Sequence, residues 1–184
     1  MRSICVFCGS ASGTDTRYEA LAERAGAAIA GAGARLVYGG ADSGLMGVCA
    51  RAARDAGGQV LGVIPEFLIP VEGVAQGVEI RRVATLASRK AMMIAEADAF
   101  LVLPGGPGTV EEVFDLIAQR RLGERDKPVA FVDRAYWAEL EALLETMTRE
   151  GFSRPALTAG FHFSNHVDIA LKALEADMDV QAAP

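Results

Sequence analysis

The stretch Ala99-Phe100-Leu101-Val102-Leu103-Pro104-Gly105-Gly106-Pro107-Gly108-Thr109-Val110-Glu111-Glu112 passes from an apolar run through a glycine loop into an amphipathic run. It reads as a strand end, a tight loop and a helix start. That order gathers backbone N–H groups and the positive end of a helix dipole at one point, where a phosphate can bind without a dedicated cation. A second reading is local. Thr109 and Glu112 have the T-x-x-E spacing of a capping box, in which Glu112 would bond back to the cap residue's N–H.

Outward from this stretch, short apolar runs alternate with helical patterns. Strands are expected at Ser3 to Cys8, Arg35 to Tyr38, Gln59 to Ile64, Glu79 to Ala84, Ala99 to Leu103 and Pro128 to Val132. Thr16 and Glu19 have capping-box spacing before an apolar stripe through Ile29, and Thr85 or Ser88 is expected to cap the helix through Glu96. Glu66 to Gly77 shows no clear period and reads as a lid or a partner-facing segment. This alternation predicts an α/β fold: a Rossmann-like, doubly wound, mainly parallel sheet with helices on both faces. Residues 1–177 are expected to form one nucleotide-binding domain and 178–184 a frayed C-terminal tail. Such sheets bind ligands beyond the carboxyl ends of their strands. Gly9-Ser10, Gly39-Gly40 and Pro104-Gly105-Gly106 all fall at expected strand exits, which points to a nucleotide-sized ligand.

Composition narrows the function classes. At 184 residues and 51% hydrophobic, the chain has no apolar stretch long enough for a membrane span, and its N-terminus runs straight into expected core strand. A soluble, cytoplasmic protein is expected. The net charge of −6 and the absence of a Lys/Arg block argue against general nucleic-acid binding. Three cysteines give no disulfide framework, and the offset of Cys5 and Cys8 places them on opposite faces of a strand. His162 and His166 lack an adjacent acid and a third ligand, so no metal site is expected.

No Gly-Lys pair exists, which removes the P-loop class. A dinucleotide fingerprint fails as well, because Glu111 stands where the third glycine of G-x-G-x-x-G is needed, and Asp133 keeps NAD binding only as a minor alternative. Glu111 and Glu112 complement the dipole of the helix they open. If phosphate sits on the loop, either carboxylate can reach the attached sugar, to bind hydroxyls, orient water or stabilise an oxocarbenium-like centre. Arg89-Lys90 reads either as a solvated basic pair or as a site cation whose guanidinium forks to phosphate or steadies a departing base.

Taken together, Val6-Phe7-Cys8-Gly9-Ser10, Leu36-Val37-Tyr38-Gly39-Gly40, Gly44-Leu45-Met46-Gly47, Gly62-Val63-Ile64-Pro65, Arg89-Lys90 and Pro104-Gly105-Gly106-x-Gly108-Thr109-x-x-Glu112 resemble the Lonely Guy family. Its members are cytokinin riboside 5′-monophosphate phosphoribohydrolases, often mislabelled lysine decarboxylases. The resemblance implies a homodimer that cleaves the N-glycosidic bond of AMP or an N6-substituted AMP to free base and ribose 5-phosphate, without a cofactor. It implies catalytic roles for Arg89 and Glu112 and a phosphate loop of Gly105, Gly106, Gly108 and Thr109. Gly9, Ser10, Gly39, Gly40, Lys90 and Glu111 are further candidate substrate contacts, and Met92 and Met93 are either interface or core. Two departures stand out: Leu86-Ala87-Ser88 where the family usually has Met-His-x, and Pro107 at a position that is often aromatic. The competing class is a non-catalytic nucleotide or molybdenum-cofactor carrier of the same fold.

Overall fold

The computed structural model describes residues 1–121 and 127–182. Its strands are β1 (Ser3–Phe7), β2 (Arg35–Tyr38), β3 (Val60–Pro65), β4 (Glu79–Val83), β5 (Ala99–Val102), β6 (Val129–Val132) and β7 (Phe161–Ser164). They form one seven-stranded sheet in the order β4-β3-β2-β1-β5-β6-β7, parallel throughout. The helices are α1 (Arg17–Gly31), α2 (Gly44–Asp55), α3 (Ile69–Glu72), α4 (Leu86–Glu96), α5 (Pro107–Arg121), α6 (Arg134–Arg149) and α7 (Val167–Ala182).

A strand buried on both faces needs apolar residues at successive positions, and β1, β5 and β6 have them. The alternation of side chains then sorts them into two layers. Ile4, Val6 and Cys8 pack with α1, α2 and α7, while Cys5 and Phe7 pack with α4, α5 and α6. Cys5 and Cys8 therefore lie on opposite faces, both buried, with thiols pushed well up by desolvation. Met93 is buried in the second layer, so its packing reading holds. The chain grows outward from β1 through β2 and β3 to β4, then returns to β1's other side with β5 and continues through β6 to β7. This reversal opens a crevice between the exits of β1 and β5, where open parallel sheets take their ligands.

The structure departs from expectation in several places. β7 was not anticipated, because Phe161-His162-Phe163-Ser164 is short and lies in a tail with no second strand signal beside it. Phe131 stacks on Phe163 at 4.6 Å, and His162 Nε2 meets Asp177 Oδ2 at 2.8 Å. That tie to α7, with Met178 buried, carries the helix to Ala182 rather than letting it fray after Asp177. Ala183 and Pro184 lie outside the described residues. The segment from Glu66 forms a 3₁₀ turn, Glu66–Leu68, and the single turn of α3. At α1, Thr16 is in the cap position but its side chain bonds nothing there, and Asp15 Oδ1 instead accepts from the Arg17 N–H at 2.9 Å.

Among the described residues, no helix is long and apolar enough to cross a membrane. The edge strand β4 is protected by charge. Arg81 and Arg35 both bind the carboxylate of Glu96, at 2.5 and 2.6 Å. Their hydrogen bonds hold Glu96 below the usual carboxylate range, with Arg35 the larger influence. A depressed pKa contributes stability that is present above the unfolded value and lost as pH falls through the folded one. Glu96→Gln is expected to lower the thermal midpoint by roughly 2 °C at pH 7, a gap that closes in acid, as scanning calorimetry across pH will show.

Candidate functional site

At the crevice two backbones nearly touch. The Gly9 N–H donates to the Pro104 carbonyl at 3.1 Å. A Cβ on Gly105 would lie 2.2 Å from Thr109 Oγ1 and 2.8 Å from the Gly9 nitrogen, so only glycine fits. α5 begins at Pro107, whose fixed φ suits the first helical position. The helix therefore starts earlier than the T-x-x-E spacing implies. Thr109 lies inside its first turn, buried, with its N–H bonded to the Gly106 carbonyl at 3.0 Å. The Thr109–Glu112 capping box does not form. What remains is an anion cradle: the N–H groups of Gly105, Gly106 and Gly108 have no acceptor among the described residues.

Arg89 comes from α4. Thr85 caps that helix, its Oγ1 accepting from the Ser88 N–H at 3.1 Å while Ser88 Oγ accepts from the Thr85 N–H at 3.1 Å. The departure at residue 88 thus closes the helix start immediately before Arg89. A cation in the first turn opposes the dipole, and here carbonyls compensate. Arg89 Nε donates to the Val63 carbonyl at 3.2 Å and Nη2 to the Gly39 carbonyl at 2.9 Å, with Met46 Sδ at 3.5 Å. The residue is only 9% exposed, which overturns the solvated-pair reading for it. A Cβ on Gly39 would sit 1.7 Å from Nη2, so glycine here is what leaves the guanidinium its place. Among the described residues Nη1 has no acceptor, and the guanidinium is near enough to Glu112 to lower its pKa.

Lys90 points elsewhere. Its Nζ lies 2.7 Å from both Glu111 and Asp115, clamping α4 to α5, and these carboxylates raise its pKa. Glu111 and Lys90 thus satisfy each other. Gly40 is buried and Ser10 exposed at the same sheet end. Lys127 Nζ is likewise engaged, donating to the Ile94 and Ala97 carbonyls.

Glu112 is the outlier. Its side chain makes no hydrogen bond among the described residues, and burial pushes its pKa from 4.5 to about 7. Arg89 and then Lys90 pull it back down, while Glu111 and Asp115 push it up. The result is a carboxyl poised to exchange a proton near neutrality. Among the described residues no group of His, Cys, Asp and Glu could hold a metal ion.

Sequence reasoning missed a second layer around the cradle. Asp133, at the end of β6, is the only non-glycine described residue with positive φ, at 72°. It caps α6 by accepting from the Tyr136 N–H at 3.3 Å, and it pairs with Arg17 at 3.1 Å. Tyr136 Oη donates to the Gly105 carbonyl at 2.7 Å. An Asp before a helical run was a readable cap signal; the tyrosine contact had none.

The family described as possible lysine decarboxylase matches residues 46–174. A cytokinin riboside 5′-monophosphate phosphoribohydrolase of Rhodococcoides fascians is 42% identical over 176 residues, which is 94% of this chain and 89% of that protein. This chain belongs to the Lonely Guy family. An Arabidopsis thaliana phosphoribohydrolase of the family is 41% identical over 84% of this chain and 73% of its own length. Among solved structures, the molybdenum cofactor binding protein of Rippkaea orientalis is similar with TM-score 0.73 at 20% identity, over 97% of this chain and 98% of that one. The molybdenum cofactor carrier protein of Chlamydomonas reinhardtii gives 0.69 at 22%, over 96% and 99%. These two likenesses speak for the fold alone. The Lonely Guy motifs, by contrast, are the residues that build the crevice.

Because Glu112 holds its proton up to about pH 7 when folded and releases it near 4.5 when unfolded, stability falls as pH rises through that window. Glu112→Gln removes this penalty. Its thermal midpoint is expected to exceed that of the parent protein at pH 8, by on the order of 1–3 kcal/mol in stability, and to converge with it toward acid pH in a fluorimetric pH series.

Proposed function

We propose that the protein hydrolyses the N-glycosidic bond of a nucleoside 5′-monophosphate, AMP or an N6-substituted AMP, to free base and ribose 5-phosphate. The observation that carries this is the unbonded Glu112, poised near pH 7 one turn into the helix whose N-terminus forms the anion cradle. Homology supports it, since relatives at about 40% identity bear the name phosphoribohydrolase.

The 5′-phosphate sits on the N–H groups of Gly105, Gly106 and Gly108, with Thr109 beside it. This fixes the ribose with its C1′ near Glu112, and the phosphate's binding energy goes into orientation at the reacting carbon. The C1′–N bond breaks and its electron pair leaves with the base. The oxocarbenium-like centre is stabilised by the Glu112 carboxylate, which also takes a proton from the attacking water as the new C1′–O bond forms; that proton then passes through solvent to the departed base, giving the neutral free base and restoring the carboxylate. Arg89, braced by the Gly39 and Val63 carbonyls, offers Nη1 to the negative charge growing on the base.

The lysine decarboxylase label has little support, because Lys90 is held charged by two carboxylates, the opposite of what Schiff-base chemistry needs. The carrier reading rests on a fold likeness at about a fifth identity, and it leaves the raised pKa of Glu112 without a use. We also place the protein in the cytoplasm as a homodimer. The partly exposed face of α4, with Leu86 and Met92, supports the pairing.

Chromatography of reactions with AMP is expected to show adenine release. Glu112→Gln should lower kcat/KM by about 10²–10⁴ and Arg89→Ala by about 10²–10³. Free base from neither AMP, other monophosphates nor cytokinin nucleotides overturns the assignment. The acid limb of kcat/KM should be centred near pH 7, as set by Glu112 in the free enzyme. Gly39→Ala, which displaces the Arg89 guanidinium, should match Arg89→Ala in rate while the chain stays folded by circular dichroism.

A further inference from the structure

The Tyr136 contact lies outside the residues so far given a role. Its oxygen bonds the carbonyl of Gly105, the first glycine of the cradle, at 2.7 Å although the residue is 40% exposed. An exposed tyrosine held at that distance must be fixed by its surroundings. The ring meets Tyr18 edge-on at 5.9 Å and Trp137 at 5.0 Å. Its backbone is set by Asp133, which occupies a left-handed conformation unusual for a residue with a side chain and accepts from the Tyr136 N–H. Asp133 is in turn paired with Arg17, whose guanidinium lies 4.7 Å from the Tyr18 ring centre and bonds the Tyr18 hydroxyl at 3.0 Å. Residues from the starts of α1 and α6 thus converge on one loop carbonyl.

The consequence follows from peptide planarity. The Gly105 carbonyl and the Gly106 N–H belong to one trans peptide and point in opposite directions. Glycine on both sides leaves that peptide free to rotate as a unit, which would turn a carbonyl lone pair toward an incoming anion. Packing already restricts the Gly105 Cα, wedged against Thr109 and Gly9, but leaves its carbonyl to be fixed by a bond. We propose that Tyr136 is a positioning residue: its hydroxyl anchors the Gly105 carbonyl and so keeps the Gly106 N–H directed at the substrate's 5′-phosphate. This rests on the nucleotide reading above, and it adds that recognition of the phosphate, rather than of the sugar or base, depends on Tyr136.

Tyr136→Phe keeps the ring contacts and removes only the hydroxyl. The test titrates AMP and adenosine calorimetrically into Glu112→Gln protein with and without Tyr136→Phe, so that no turnover intervenes. The hydroxyl's loss is expected to weaken AMP about tenfold and to leave adenosine within about twofold, with an unchanged thermal midpoint. A nitrogen-edited NMR spectrum should show the Gly106 amide shifted in Tyr136→Phe. Equal AMP affinity with and without the hydroxyl overturns the inference and leaves the nucleotide reading intact, as does an equal loss for AMP and adenosine. Failure of Glu112→Gln protein to bind AMP at all overturns both. In the catalytically intact chain, Tyr136→Phe should raise KM for AMP more than it lowers kcat.

Discussion

Gly9 and Gly105 come close enough that a Cβ on Gly105 would strike the Gly9 nitrogen, and the crevice is organised by that approach. It is possible because β1 is the strand from which the chain runs outward on one side and to which it returns on the other. The two neighbouring exits therefore carry loops that arrive from distant parts of the sequence. Were Gly105 replaced, its side chain would push against Gly9 and Thr109, and the N-terminus of α5 would no longer close one wall of the crevice.

Around that point the protein arranges two kinds of charge differently. Arg89 is buried yet solvated by carbonyls at the ends of β2 and β3, which satisfy a cation without neutralising it. Glu112 is half-buried without such partners, and desolvation favours its protonated form. Lys90, between two carboxylates, is a structural clamp. Adjacent residues of one helix thus have unrelated duties, and the difference lies in which face each presents: Arg89 shares its face with Met93 and Ala97 toward the sheet, while Lys90 looks sideways to α5.

Much of this was legible in the residues. The five interior strands β1, β2, β3, β5 and β6 announce themselves by nearly unbroken apolar runs, as strands covered on both faces require, and the exits at Gly9, Gly39 and Gly105 mark where backbones approach. The short β7 did not, because a four-residue edge strand owes its pairing to Phe131 and α7 rather than to its own pattern. Cap spacing misled at Thr16 and Thr109, where a neighbouring Asp15 and Pro107 set the helix starts instead. At Thr85 the cap was one of two named options. The environment of Glu112 had no local signal, since desolvation is a property of everything packed around a side chain. The pairing of Asp133 with Arg17 and of Tyr136 with Gly105 escaped for a similar reason, since these partners are remote in the chain.

The position of β1 also bears on how the chain comes to fold. Asp98, just ahead of β5, accepts from the backbone of Ser3 across a separation of 95 residues. During synthesis β1 can pair with β2 early, but its other edge stays open until β5 has emerged, and loop closure over such a distance is slow. For that interval an apolar strand with unpaired backbone groups is available to any other strand nearby. The same reversal that makes the crevice thus leaves the half-synthesised chain with an open edge at its central strand.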